Sequence, residues 1–252
     1  MQKLTTFGYD NVGNQTSVLD ANQHQTQFVY DKLGRKTQTI YPDQTTDATH
    51  YDSLGRVDYK LDQAGVRTDY GYDGDGRLTS VTQYLNFGQA NQQALVTQYG
   101  YDEVGNRISQ TDANQHTTKY VYDQLGRRIS RSLPAGQSES YSYDAAGNLQ
   151  SKIDFNGKTT TYVYDSNNRL QSKTPDPSFN APAVAFTYSA TGKRLTMSDV
   201  SGVTTYTYDP QTDRLLQKQT PEGTLNYAYD VAGNLKSLQS QNQGGGERHL
   251  HL

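Results

Sequence analysis

The chain contains no cysteine and no tryptophan, and only 7 of its 252 residues are proline. Without cysteine the fold rests on no disulfide and no thiolate zinc site, so either redox compartment is open to it. An excess of one charge is also lacking. Lys and Arg number 23 against 26 Asp and Glu, a formal net charge of -3, and the basic residues recur singly instead of in blocks. That balance gives no electrostatic reason to expect nucleic acid or an anionic membrane as a partner. No apolar run approaches the roughly 20 residues of a spanning helix, so no membrane insertion is expected. Met1 to Phe7 shows no charged region followed by an apolar run, and no signal peptide is read there. Three cases stay open: a cytoplasmic chain, a piece of something longer, or export by a route that uses no such peptide.

Hydrophobic residues make up only 33% of the chain, a value that by itself suggests disorder. The 21 tyrosines argue otherwise. Tyr brings a large apolar ring with few rotatable bonds and can build a core at modest entropic cost. The 22 glycines also fall at regular positions, so an ordered β structure is expected.

The order is an internal repeat. Tyr followed by Asp occurs at Tyr9-Asp10, Tyr30-Asp31, Tyr51-Asp52, Tyr72-Asp73, Tyr101-Asp102, Tyr122-Asp123, Tyr143-Asp144, Tyr164-Asp165, Tyr208-Asp209 and Tyr229-Asp230. An eleventh anchor, Tyr188, is followed by Ser189. Successive spacings are 21, 21, 21, 29, 21, 21, 21, 24, 20 and 21 residues. Four places after the anchor stand Gly13, Gly34, Gly55, Gly76, Gly105, Gly126, Gly147, Gly192 and Gly233, with Asn168 and Thr212 at that place in the other two units. Asn, Arg or Lys follows, for example Asn14, Arg35, Arg56, Arg77 and Arg127. Two places before the anchor is nearly always a second aromatic, such as Phe28, Tyr70, Tyr120 or Tyr162. Residues two apart in a strand share a face, so each unit sets two rings side by side. The residue between them, such as Val29, Gly71 or Ser142, faces the other way.

Each unit therefore reads as two strands. One runs through residues such as Leu149, Ser151 and Ile153, and the other carries Thr and the ring pair, as in Thr159 to Tyr164. Turns such as Asp154-Phe155-Asn156-Gly157 and the Asp-x-x-Gly after each anchor join them, with Asp accepting backbone bonds and Gly taking a left-handed conformation. Gly, Asn and Asp recur too often for long helices. The expected fold is all-β: eleven two-stranded units over residues 1–238 forming a long, curled, antiparallel strip. Longer excursions fall near residues 84–98 and 173–185, and residues 239–252 read as a flexible Gly-rich tail. The segment Asp20-Ala21-Asn22-Gln23-His24 recurs as Asp112-Ala113-Asn114-Gln115-His116, which points to growth by block duplication.

The unit Tyr-Asp-x-x-Gly-Arg/Asn, as in Tyr30-Asp31-Lys32-Leu33-Gly34-Arg35 and Tyr143-Asp144-Ala145-Ala146-Gly147-Asn148, resembles the YD repeats of Rhs proteins. Related arrays occur in the wall-associated protein of Bacillus, the teneurins and the B and C components of insecticidal toxin complexes. The resemblance covers about residues 7 to 240. It implies a β-strip wound into a hollow shell that encloses or presents a protein cargo, such as a C-terminal toxin domain, together with further repeat segments. It also implies a secreted or cell-surface setting. Bacterial arrays of this kind usually have many more units and a conserved core segment, neither of which this sequence shows.

Chemistry is hard to find. Gly-x-Ser-x-Gly, a phosphate-binding loop and His-Glu-x-x-His are all absent. No catalytic, cofactor-binding or metal-ligating residue is therefore expected. Every anchor Asp occupies the same turn slot, which reads as turn capping. His24 and His116 read as solvent-facing turn residues, and His249 and His251 lie in the tail. The recurring Arg and Lys are expected to pair with the turn Asp of a neighbouring repeat or to keep the edge soluble, and the Tyr hydroxyls to find Thr, Gln or Ser. The leading reading is a structural scaffold. The alternative is a surface module binding carbohydrate or protein through exposed rings.

Overall fold

The computed structural model describes residues 4–242 and 245–251. Two compact units are present, Met1–Arg127 with Ser132–Gly136, and Arg128–Arg131 with Gln137–Leu252. The first holds β1 (Thr6–Tyr9), β2 (Gln15–Leu19), β3 (Gln25–Tyr30), β4 (Lys36–Ile40), β5 (Thr46–Tyr51), β6 (Val57–Leu61), β7 (Arg67–Tyr72), β8 (Leu78–Leu85), β9 (Gln93–Tyr101), β10 (Arg107–Thr111) and β11 (Thr117–Tyr122). Each pairs antiparallel with its sequence neighbours. After β12 (Arg128–Ser132), the second unit holds β13 (Ser138–Tyr143), β14 (Leu149–Ile153), β15 (Thr159–Tyr164), β16 (Leu170–Thr174), β17 (Val184–Tyr188) and β18 (Arg194–Asp199). It ends with β19 (Gly202–Tyr208), β20 (Leu215–Thr220), β21 (Gly223–Tyr229), β22 (Leu235–Asn242) and β23 (Gly245–His251). From β13 on, each strand again pairs antiparallel with the next. Among the described residues there is no α-helix, and a 3₁₀ turn at Pro177–Phe179 is the one helical element.

The turns explain why the sequence folds this way. The Asp31 N–H donates to the Arg35 carbonyl at 3.0 Å and the Gly34 N–H to the Asp31 carbonyl at 3.0 Å. Gly34 has φ 75°. This is a type I turn closed by a left-handed residue, a common three-residue hairpin loop. The side chain locks it, because Asp31 Oδ1 accepts from the N–H of Leu33 at 2.9 Å and of Arg35 at 3.0 Å. Turns at the other edge of the ladder use the same wiring. Asp62 Oδ1 accepts from the N–H of Ala64 at 2.9 Å and of Val66 at 2.8 Å.

At that other edge the left-handed place is held by Gly65, φ 77°, in one turn and by Gln115, φ 64°, in another. A side chain in this region costs roughly 1–2 kcal/mol. A Cβ added at Gly65 would meet nothing within 4 Å, so Gly65→Ala is expected to cost about 1 kcal/mol through backbone strain alone. Gln115→Gly is expected to stabilise by about 0.5 kcal/mol. Urea denaturation of both variants checks the pair, and a stabilising Gly65→Ala would contradict the turn assignment.

A register slip recurs just past the turn. Tyr30 lies opposite Lys36 but Val29 lies opposite Gln38, so Thr37 has no partner residue. The same slip accompanies Tyr9, Tyr51, Tyr72, Tyr101, Tyr143, Tyr164, Tyr188, Tyr208 and Tyr229. Such bulges bend a strand and increase its twist.

Three expectations change. The Tyr208 turn is one residue longer than its siblings: the Asp209 N–H bonds to the Arg214 carbonyl, and Asp213, not Thr212, takes the left-handed conformation with φ 58°. The excursion near 84–98 is mostly a lengthened hairpin, because β8 and β9 pair from Ser80↔Gln98 out to Leu85↔Gln93. Finally, Gln239–Asn242 are not loose. They continue β22, held because β21 is long enough to pair Gly223 with Asn242; residues 243, 244 and 252 lie outside the described residues.

Burial alternates with period two. In β3, Thr26, Phe28 and Tyr30 are half-buried while Gln25, Gln27 and Val29 are exposed. The core is thin. Tyr120, 9% exposed, is the one buried hydrophobic residue among those described, and the accessible surface is 16889 Å². A compact monomer of 28.1 kDa would expose about 11,000 Å².

Candidate functional site

The feature repeated along both units is the seam between one repeat and the next. Its first bond is unexpected. The Tyr30 hydroxyl donates to the backbone carbonyl of Gln15 at 2.8 Å, not to a Thr, Gln or Ser side chain. Tyr51, Tyr72, Tyr101, Tyr122, Tyr143, Tyr188 and Tyr229 repeat it onto Lys36, Val57, Leu78, Arg107, Arg128, Leu170 and Leu215. Each acceptor is the first residue after the preceding turn, and at seven of the eight, Arg128 apart, the ladder register slips there. The bulge and the next ring are thus one device. Anchors from Tyr30 onward are half-buried, whereas Tyr9, before which no earlier unit is described, is 62% exposed.

The second bond is made by the basic residue after Gly. Arg56 Nε donates to Asp52 Oδ2 at 2.7 Å, its own turn and not a neighbour's as expected. The guanidinium then lies over the ring of the next anchor, Tyr72, at 4.5 Å, and Nη1 reaches the carbonyl of Asp73 at 3.5 Å. Arg35 lies over Tyr51 at 4.4 Å, Arg77 over Tyr101 at 5.2 Å and Arg169 over Tyr188 at 5.0 Å. A fork bound in plane while its face covers a ring suits Arg, and Lys lacks that geometry. Where Asn stands instead, as at Asn14, Asn106, Asn148 and Asn234, Nδ2 donates to the turn Asp.

These bonds hold the turn carboxylates ionised. Asp31 is shifted below the usual carboxylate range first by the Arg35 N–H, against partial desolvation, with help from the guanidinium. Asp144 is lowered first by the Asn148 side chain. Asp176, at the proline excursion, is pushed down to about 2 by the Ser178 side chain and by the N–H groups of Thr159 and Ser178. Asp10, Asp52, Asp73, Asp102, Asp123, Asp165, Asp209 and Asp230 shift the same way. A carboxylate whose folded pKa lies below its unfolded value stabilises the fold above the unfolded value. That contribution is lost as pH falls through the folded one. Many shifts of one sign add, so Tm is expected to fall steeply below about pH 4, with uptake of several protons on unfolding. A Tm independent of pH down to pH about 2 would contradict this coupling.

One cluster escaped the sequence pattern. Glu139, 4% exposed, accepts from the Tyr141 hydroxyl and pairs with Lys152 Nζ at 3.1 Å and Arg131 Nη1 at 3.5 Å. Its signal was present. Four places before the anchor, where Glu139 stands, other units hold Thr26, Thr68, Thr97, Thr118, Thr160 and Thr204. A second cluster pins the lengthened hairpin: Arg67 lies over Tyr59 at 4.0 Å and over Phe87 at 5.4 Å, and pairs with Asp69 at 2.6 Å. His50 stacks on Tyr59 at 4.7 Å. His24 and His116 sit at equivalent exposed turn places beside Asp20 and Asp112. The side chains of His249 and His251 lie outside the described residues. Among the described residues no three His, Cys, Asp or Glu gather in a metal-binding geometry, and no helix is long and apolar enough to cross a membrane.

This geometry defines a class, a tandem β-hairpin protein whose units interlock through ring, guanidinium and backbone carbonyl. More particularly, its units are similar to RHS repeats. The RHS Repeat family model matches residues 9–46, 101–138, 122–158 and 143–177. No curated protein matches the chain. Among solved structures it is similar to the TcdB2-TccC3 complex, with a TM-score of 0.76 and 19% identity over 96% of this chain and 14% of that one. The complex without the hypervariable C-terminal region gives a TM-score of 0.75 and 20% identity, over 95% and 14%. The Tc holotoxin pore of Photorhabdus luminescens gives 0.59 and 17%, over 98% and 16%. At these identities the likeness is one of fold, and the chain spans about a seventh of the length of the neighbouring chains.

Proposed function

We propose that residues 1–238 form a wall segment of a Rhs-type shell that encloses or presents a protein cargo, such as a toxin domain, outside the producing cell. The observation that carries this reading is the seam. Eight of the ten anchors after Tyr9 bond back to the preceding unit, and a strand-bending slip recurs at the same place beside the anchors, which favours a strip that curls in one sense. The large accessible surface for this mass, 16889 Å², fits a wall that needs further repeats or a cargo to cover it. The scaffold reading also matches the absence of any nucleophile-and-base arrangement in the sequence. The alternative, glycan capture by exposed tyrosines, is weakened because the anchors from Tyr30 onward are packed against the preceding turn.

The coding sequence on either side of these residues gives the first test, with further Tyr-Asp units and a cargo domain expected. Limited proteolysis of that cargo, expressed with and without the whole array, gives the second. A cargo cut equally fast in both cases would overturn the enclosure.

A further inference from the structure

The turn after each anchor carries an unusual residue at its outermost place. The second central position of a type I turn faces water and favours polar residues. Yet Val12, Leu33, Leu54, Val104 and Leu125 occupy it, exposed by 82, 77, 75, 83 and 76%. At such exposure none of them is packed by its own unit. The matching places of the second unit hold Ala146, Asn167, Thr191 and Ala232 instead, the Tyr208 turn being one residue longer. Because alternate turns fall on one side of a sequential ladder, the five tips share an edge of the first unit. They recur every second strand, roughly 10 Å apart, with Asp75 as the single interruption. The eight-residue excursion does not disturb this pitch, since it lengthens a hairpin at the opposite edge.

The same edge also offers a recess. A groove of 460 Å³ lies between the turns after Tyr101 and Tyr122, lined by Val104, Ile108, Tyr120 and Val121 among others. Ile108 and Val121 are 40% and 51% exposed. Exposed aliphatic tips therefore recur at one pitch along this edge, with a groove beside the last two of them.

We propose that this edge of the first unit is an interface and that its occupant is the same edge of a second copy of the chain, laid antiparallel about a twofold axis. The charges select that orientation. Counting turns from the first to the sixth, the antiparallel arrangement sets the second against the fifth, so that exposed Lys32 meets exposed Glu103. It sets Asp75 against Leu54. A parallel arrangement would place Lys32 on Lys32 and Asp75 on Asp75. Each tip offers on the order of 100 Å², and with the turn residues beside them the edge approaches the roughly 800 Å² per partner of a standard interface. This assembly goes beyond the shell reading and does not depend on it.

Sedimentation velocity across a wide concentration range tests it on the whole chain. The wild type is expected to dimerise, and the triple variant L33D/L54D/L125D to weaken dimerisation by about tenfold or more per tip. Ala146→Asp, in the second unit, should leave association unchanged. Lys32→Glu should weaken it, and adding Glu103→Lys should restore it. These tips are solvent-facing, so circular dichroism should show every variant folded. A wild type that stays monomeric, a triple variant that associates as the wild type does, or a charge swap without rescue would each overturn the proposal.

Discussion

Tyr72→Ala is expected to cost about 3.5 kcal/mol and to separate unfolding into two transitions, whereas Tyr72→Phe costs about 1 kcal/mol and leaves one. The Tyr72 ring is half-buried, carries Arg56 at 4.5 Å on its face, and donates its hydroxyl to the Val57 carbonyl at 3.0 Å. Truncating a fully buried aromatic costs about 3–5 kcal/mol, and partial exposure lowers that to about 2. Losing the guanidinium contact adds about 0.5 kcal/mol and the hydrogen bond about 1. Tyr72→Phe removes only the last term. Burial holds the Tyr72 phenol above its ordinary pKa, so it is a neutral donor throughout the accessible pH range.

The split transition follows from connectivity. In a stack whose units touch only their neighbours, stability is a sum of unit terms and interface terms, so one broken interface uncouples the two sides. Tyr9→Ala is the control. With its ring already 62% exposed, it should change stability by no more than about 0.5 kcal/mol. Urea denaturation followed by tyrosine fluorescence and by circular dichroism reads both effects. Equal losses at Tyr9 and Tyr72 would show that the seam does not hold the array together.

The repeat was legible because it rests on residue types with narrow conformational uses. Gly34 and Gly65 mark left-handed turn positions, and ring pairs such as Phe28 with Tyr30 mark a face. What the residues bond to was not legible. At eight anchors the acceptor of the Tyr hydroxyl is a backbone carbonyl, and every residue type carries one. Gln15, Lys36, Val57 and Leu78 share no side-chain chemistry, so no pattern could announce their common role. Arg56 could be seen to recur, but a turn Asp lies on either side of it in sequence order, and only coordinates show that its own is the partner. Thr212 was misplaced because counting four from the anchor assumes a fixed loop length, and the Pro210 loop holds one residue more. The strand at Gln239–Asn242 was missed for another reason. Glycine content nearby suggested a loose tail, while the length of a strand is set by the partner it pairs with, here β21.

Glu139→Ala is expected to cost about 2 kcal/mol and Glu139→Gln about half of that, with a pH dependence that identifies the cause. Removing one member of a fully buried ion pair costs about 3–5 kcal/mol. Here the carboxylate is covered, but Arg131 and Lys152 are 37% and 36% exposed, so water screens the charges left behind. Desolvation raises the Glu139 pKa, yet the Tyr141 hydroxyl and the Lys152 ammonium outweigh it and leave the group below its ordinary value. Lys152 is raised in turn, first by its bond to Glu139. The stabilisation from Glu139 is thus complete above its unfolded pKa of about 4.5 and is lost as pH falls through the lower folded value. That from Lys152 is complete below about 10.5 and is lost as pH rises through its higher folded value. The difference in stability between wild type and Glu139→Gln should therefore be flat between these limits and close at both ends. A difference that stayed constant into strong acid would mean that Glu139 acts by filling space alone. Tyr141 gives an independent check, because it donates to Glu139 while accepting from Arg128 Nη2 at 3.1 Å. Tyr141→Phe should then shrink the Glu139 effect, since a carboxylate that loses this donor is held less firmly in its charged form.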